Sequence, residues 1–156
     1  MKRPILIGAL TAFATLAASP LAAEMRTWPW KDKTPPDPAL VTLSSVKGVT
    51  ASISQSDKPI LTITVEAAAP APGYSELQLT PRIGDPKDLI FAFDAKGRPP
   101  QDMTTQVETP VTITLDYADA PTEKVGVVEI YAQSNCKAFS IKDNKETECT
   151  SDSLPQ

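Results

Sequence analysis

The chain reads as an all-β protein: a two-sheet immunoglobulin-like or fibronectin-like sandwich of about seven strands, followed by a C-terminal hairpin closed by a disulfide. Three observations predict this. Apolar and polar residues alternate with period two in four separate segments beyond Pro38, the pattern of strands with one buried face and one wet face. Turn-forming residues fall between the segments. Beyond the N-terminal leader, no stretch of helical length carries an apolar period of 3.6. A closed barrel is the alternative arrangement of the same strands.

The leader comes first. Lys2 and Arg3 precede an apolar run over residues 5–18, and Ser19-Pro20-Leu21-Ala22-Ala23 leads into Glu24. A charged start, an apolar middle and a small-residue exit predict a signal peptide over residues 1–23, cleaved after Ala23. The run is too short for a spanning helix, which needs about 20 apolar residues. The first cysteine is Cys136, so the new N-terminus has no acceptor for lipid. The chain is expected in the periplasm or secreted, without membrane insertion after cleavage.

Residues 24–39 form a proline-rich arm. Pro29, Pro35, Pro36 and Pro38 remove backbone donors and bias it toward an extended polyproline conformation. Trp28 and Trp30 face the same side of such a segment. They either fold back as a lid over one end of the sandwich or dock as aromatic anchors in a partner's groove or on a sugar ring.

The sandwich occupies residues 40–135. Its regular strands carry Val49, Ala51 and Ile53; Leu61, Ile63 and Val65; Leu89, Phe91 and Phe93; and Val111, Ile113, Leu115 and Tyr117 on their inward faces. Less regular strands are expected at 40–46, 76–82 and 124–132. Asp94-Ala95-Lys96-Gly97 is read as a type I turn, with further punctuation at Gln55-Ser56-Asp57-Lys58 and Gly84-Asp85-Pro86. Residues 61–66 and 111–116 echo each other, which points to similar strand environments rather than duplication. Residues 136–149 form the hairpin, with Lys142-Asp143-Asn144 at its middle, and 150–156 a frayed tail.

Composition excludes more chemistry than it suggests. The chain contains no histidine and two cysteines, and its formal net charge is -4, more negative once Lys2 and Arg3 leave. Without imidazole, Ser-His-Asp and Cys-His systems and most zinc and copper sites are ruled out. The charge argues against nucleic acid and anionic lipid. In an oxidising compartment Cys136 and Cys149 are expected to pair.

No catalytic residue, metal site or cofactor is predicted. Ser44 and Lys47 have Ser-x-x-Lys spacing, but on a strand they project to opposite faces, whereas the acyl-enzyme motif needs a helix. Calcium would require oxygen ligands in an alternating loop, which is absent here. The carboxylates sit mainly in turns and on wet faces. Tyr74 and Arg98 join Trp28 and Trp30 as candidate binding residues.

Gly73-Tyr74-Ser75, Gln78-Leu79-Thr80-Pro81-Arg82, Phe91-Ala92-Phe93-Asp94 with Pro99-Pro100, Gln106-Val107-Glu108-Thr109-Pro110 and Ile130-Tyr131-Ala132-Gln133-Ser134-Asn135 resemble a set of small bacterial proteins of unassigned function. The resemblance implies a shared fold and no activity; the cysteine hairpin lies outside its pattern. Gly73 suits a bend entering a strand, Pro81 an edge or strand end, and Arg82 and Asp94 a pairing across strand ends.

The function expected is an exported, non-enzymatic binding domain acting on a protein or envelope component. One alternative is an exported inhibitor of a protease or lysozyme, with Gly97-Arg98-Pro99-Pro100-Gln101 as a stiff wedge. Another is a glycan-acting enzyme that uses two convergent carboxylates.

Overall fold

The computed structural model describes residues 35, 37–82, 89–118 and 122–150. They form the two-sheet, all-β sandwich expected from the alternation. Strands are β1 (Val41–Thr42), β2 (Ser45–Ile53), β3 (Ile60–Ala69), β4 (Ser75–Pro81), β5 (Ile90–Arg98), β6 (Thr109–Ala118), β7 (Val127–Tyr131), β8 (Cys136–Ser140) and β9 (Lys145–Thr147). The 6-stranded sheet runs β1-β5-β7-β8-β9 with β4 on the other side of β5, and the 3-stranded sheet runs β2-β3-β6. The leader, Trp28, Trp30, the Gly84-Asp85-Pro86 turn and positions 151–156 lie outside the described residues.

The core sits between the sheets and comes from the inward period of each strand. Leu61, Ile63 and Val65 of β3 meet Ile113, Leu115 and Tyr117 of β6, while Phe91, Phe93, Val128 and Ile130 close the space from the larger sheet. The echo between 61–66 and 111–116 has a direct cause. These segments are antiparallel neighbours, with Thr62 opposite Asp116, Ile63 opposite Leu115 and Thr64 opposite Thr114. Both therefore present the same apolar face to the same core.

The segment 40–46, expected as one strand, is divided between the sheets. The Leu43 N–H donates to Ala95 O of β5 at 2.9 Å, and the next N–H, of Ser44, donates to Ala68 O of β3 at 2.9 Å. The chain changes sheet at that peptide. A register shift between Val46 and Gly48 then lets Val46 and Val49, three positions apart, both point inward, which strict alternation forbids.

Asp94-Ala95-Lys96-Gly97 is not a turn. β5 continues through it to Arg98, with Ala95 and Gly97 buried. A Cβ on Gly97 would lie 2.9 Å from Leu77 Cδ2 and 3.2 Å from Tyr74 Cδ1, so glycine serves close approach here rather than a turn. The expected inward Leu89 also differs: it is 49% exposed with φ 64, a bend placed just before β5. Gly73 has φ 88, as a bend into β4 requires. Pro81 ends β4 on the edge of its sheet.

The Cys136–Cys149 disulfide is formed, with Cα atoms 6.2 Å apart. Closing a loop of this size stabilises by about 3 kcal/mol on a chain-entropy estimate. The hairpin is more than an appendage, because β8 pairs with β7 over its whole length and buries Ala138 and Phe139. Its turn bends at Asn144, φ 50, a residue that tolerates the left-handed region.

Candidate functional site

One end of the sandwich carries a concavity of about 800 Å³. Its walls are the last residues of β2, the β2–β3 loop and the β8–β9 turn, which bring together Ser52, Gln55, Ser56, Asp57 and Asn144 over Ile53, Pro59 and Ile141. Local hydrogen bonds shape the loop. Ser54 N–H donates to Ile60 O at 2.9 Å, Ile60 N–H donates to Ser54 Oγ at 2.8 Å, and Ser56 Oγ donates to Lys58 O at 2.7 Å. A second hollow of about 300 Å³ shares Ser52 and Asn144 and adds Thr50, Thr62, Thr64 and Phe139. Such a wall offers neutral hydroxyl and amide partners above an apolar floor, the composition of a binding cleft. Among the described residues Asp57 is the one ionisable group of the larger lining, so they supply no carboxylate pair there for acid–base hydrolysis.

The outer face of the larger sheet holds a polar chain that the sequence reading foresaw only at one end. Val128 and Ile130 of β7 enter the core, so Glu129 between them and Tyr131 after them point the other way. Yet Glu129 is 1% exposed and Tyr131 0%. Tyr131 OH donates to Glu129 Oε2 at 2.7 Å. Thr150 donates twice to Glu129 Oε1, from its N–H at 2.7 Å and from Oγ1 at 2.8 Å. Arg82 lies over the Tyr131 ring at 3.5 Å from its centroid and pairs with Asp94 Oδ1 at 2.9 Å. The expected Arg82–Asp94 pair is therefore one end of a longer network. A carboxylate two positions before a tyrosine in an otherwise apolar run was the available signal for the other end.

Glu129 also neighbours the disulfide: its carboxylate and the sulfurs of Cys136 and Cys149 lie within 4.8 Å of one another. These are metal-ligating types, but the sulfurs are bonded to each other and offer no thiolate to an ion.

The other sequence candidates do not converge on either place. Arg98 is held by Asp37 Oδ2 and Glu76 Oε2, each at 2.8 Å, so its guanidinium is already engaged. The Ala39 backbone N–H and then Arg98 hold Asp37 below its ordinary range; the hydrogen bond from Arg98 does the same for Glu76. Tyr74 is half-buried against the core. Ser44 and Lys47 share no helix: Ser44 precedes β2, and Lys47, within it, is 3.9 Å from Glu108.

Several residues that carry the resemblance have structural work in this chain. Asn135 clasps the edge of β2, accepting from Val46 N–H and donating to Val46 O, both at 2.8 Å. Gln133 Nε2 donates to Thr42 O at 2.9 Å, and Ser134 Oγ donates to Ser44 O at 2.7 Å. Among the described residues, no helix is long and apolar enough to cross a membrane. No family model, curated protein or solved structure matches the chain.

Proposed function

We propose that the chain is an exported, non-enzymatic binding domain, cleaved after Ala23, whose partner is a protein or cell-envelope component. The observation that carries this reading is the sandwich-end concavity, which pairs neutral hydrogen-bonding walls with an apolar floor and, among the described residues, a single ionisable group, Asp57. The disulfide is consistent with an oxidising compartment. The glycan-hydrolase alternative draws less support. Where Asp37 and Glu76 converge they share Arg98, which keeps both ionised and leaves neither poised as a proton donor. The test is capture from periplasmic extract on immobilised 24–156, with the retained component identified by mass spectrometry or glycan analysis. Retention that disappears in Ser52→Arg with Gln55→Arg supports the proposal. Retention indifferent to that pair, or none at all, counts against it.

An inhibitor is the second reading, favoured by one feature. The β5–β6 connection exposes every residue from 101 to 108, and Met103 is wholly exposed at 104%. The loop is pinned near its end, where Thr109 Oγ1 donates to Val107 O at 3.1 Å. The wedge expected at 97–101 moves accordingly, because Gly97 is buried and Arg98 engaged, and the projecting part is 101–108. Inhibition of a protease or lysozyme that Met103→Asp abolishes would favour it; none at high micromolar concentration would end it.

A further inference from the structure

We infer that Cys149 and Thr150 form a strap over the outer face of the larger sheet that closes only when the disulfide forms, so that oxidation of the folded sandwich seals Glu129 and reduction uncovers it. The inference rests on where the disulfide stands relative to that side chain. Glu129 projects from the outer face of β7, yet it is 1% exposed. Thr150 gives its carboxylate two donors, both to Oε1, from the N–H at 2.7 Å and from Oγ1 at 2.8 Å. Thr150 directly follows Cys149, and the carboxylate and both sulfurs lie within 4.8 Å of one another. The covalent tie and the polar cover are therefore one short stretch of chain.

That stretch is held differently from the strands beneath it. The β8–β9 ladder ends with Thr147 opposite Ala138. Beyond it, Cys149 is tied to Cys136 with Cα atoms 6.2 Å apart, and Thr150 is exposed, so its two donors can be handed to water. β7 and β8 stand without the tie. They pair from Val127 opposite Ser140 to Tyr131 opposite Cys136, and Val128, Ile130 and Phe139 lie in the core. Exposed segments open at lower free energy than core strands, so cutting the disulfide frees the strap and leaves the sandwich.

Cys136 and Cys149 are both half-buried, which leaves the pair within reach of an exchange partner. Closure is thiol–disulfide exchange. One cysteine thiolate attacks the disulfide of an oxidant to form a mixed disulfide, and the other cysteine attacks that bond and expels the oxidant as a dithiol. The two cysteines thereby lose two electrons and two protons, and the oxidant gains them. A dithiol reductant runs the same exchange backwards. Closure of the strap is thus a late step, laid on a sandwich whose core and ladders are already in place.

The test compares oxidised 24–156 with the same chain after treatment with a dithiol, and with Cys149→Ser. Carboxylates are coupled to a small amine with a carbodiimide and located by mass spectrometry, and amide exchange is followed residue by residue. In the oxidised chain Glu129 should stay uncoupled while the exposed Glu123 and Glu148 react. In the reduced chain and in Cys149→Ser, Glu129 should couple, and the Thr150 amide should exchange faster by about tenfold or more. Amides of β3 and β7 should keep their protection, and reoxidation of the wild-type chain should restore the sealed state. Glu129 uncoupled in the reduced chain, or already coupled in the oxidised one, overturns the inference. So does loss of β3 and β7 protection in step with Thr150, which would mean that the whole domain opens rather than the strap.

Discussion

The buried link between Tyr131 and Glu129 gives a number that can be measured. Tyr131 OH sits 2.7 Å from Glu129 Oε2, with both side chains almost wholly buried. Losing a buried hydrogen bond while its partner stays buried and unmatched costs about 1.5–3 kcal/mol, the lost bond together with the desolvation of the stranded group. Tyr131→Phe keeps the ring under Arg82, so it removes the hydroxyl and little else. Glu129→Met keeps the volume and removes the acceptor; Thr150, which is exposed, can turn its donors to water, but Tyr131 OH cannot. Each single variant should therefore lose about 1.5–3 kcal/mol. The double variant strands neither group, and should fall short of the sum by about 1.5–3 kcal/mol. Urea unfolding followed by far-ultraviolet circular dichroism at neutral pH, with the denaturant slope unchanged, reads all four proteins. Additivity to within about 0.5 kcal/mol would show that the two groups do not act as a unit, and the reasoning would fail.

Two further outcomes are expected. Gly97→Ala drives a methyl to 2.9 Å from Leu77 Cδ2 and 3.2 Å from Tyr74 Cδ1; overpacking of this kind costs about 1–3 kcal/mol, less a few tenths from a stiffer unfolded chain. A lowered thermal midpoint confirms a strand at 97, whereas an unchanged or raised one would speak for an open turn. Acid should destabilise the fold. Asp37 is held below its ordinary 3.8 by the Ala39 N–H and then by Arg98, Glu76 below its ordinary 4.5 by the hydrogen bond from Arg98, and Glu146 below its own by Lys137 and then the Val49 N–H. A depressed carboxylate contributes stability above its unfolded value and loses it as pH falls through the folded one. The urea midpoint should hold from neutral pH and then drop below about 4.5, more shallowly in Arg98→Ala; a midpoint that rises on acidification would contradict the assignment.

The candidate cleft was much less legible than the fold. Ser52, Gln55, Asp57 and Asn144 read as ordinary turn and wet-face residues, and only the meeting of the β2–β3 loop with the β8–β9 turn makes them one surface. Those two turns lie far apart in sequence. Glu129 presents the same difficulty. Its outward direction follows from strand period, but its burial depends on Cys149 and Thr150 returning over the sheet.

By itself the sequence determined the all-β class, the inward faces of β3, β5 and β6, the disulfide, the bend at Gly73 and the strand end at Pro81. Each depends on a local rule: the two-residue pleat, a reach between two thiols, a glycine φ or a missing N–H. Only the tertiary structure decided where the chain changes sheet at Leu43 and Ser44, that β5 and β7 lie parallel, and that Gly97 is a buried strand position. These depend on which residues stand opposite each other across the pleat, and period-two alternation says that a face is buried without saying what buries it.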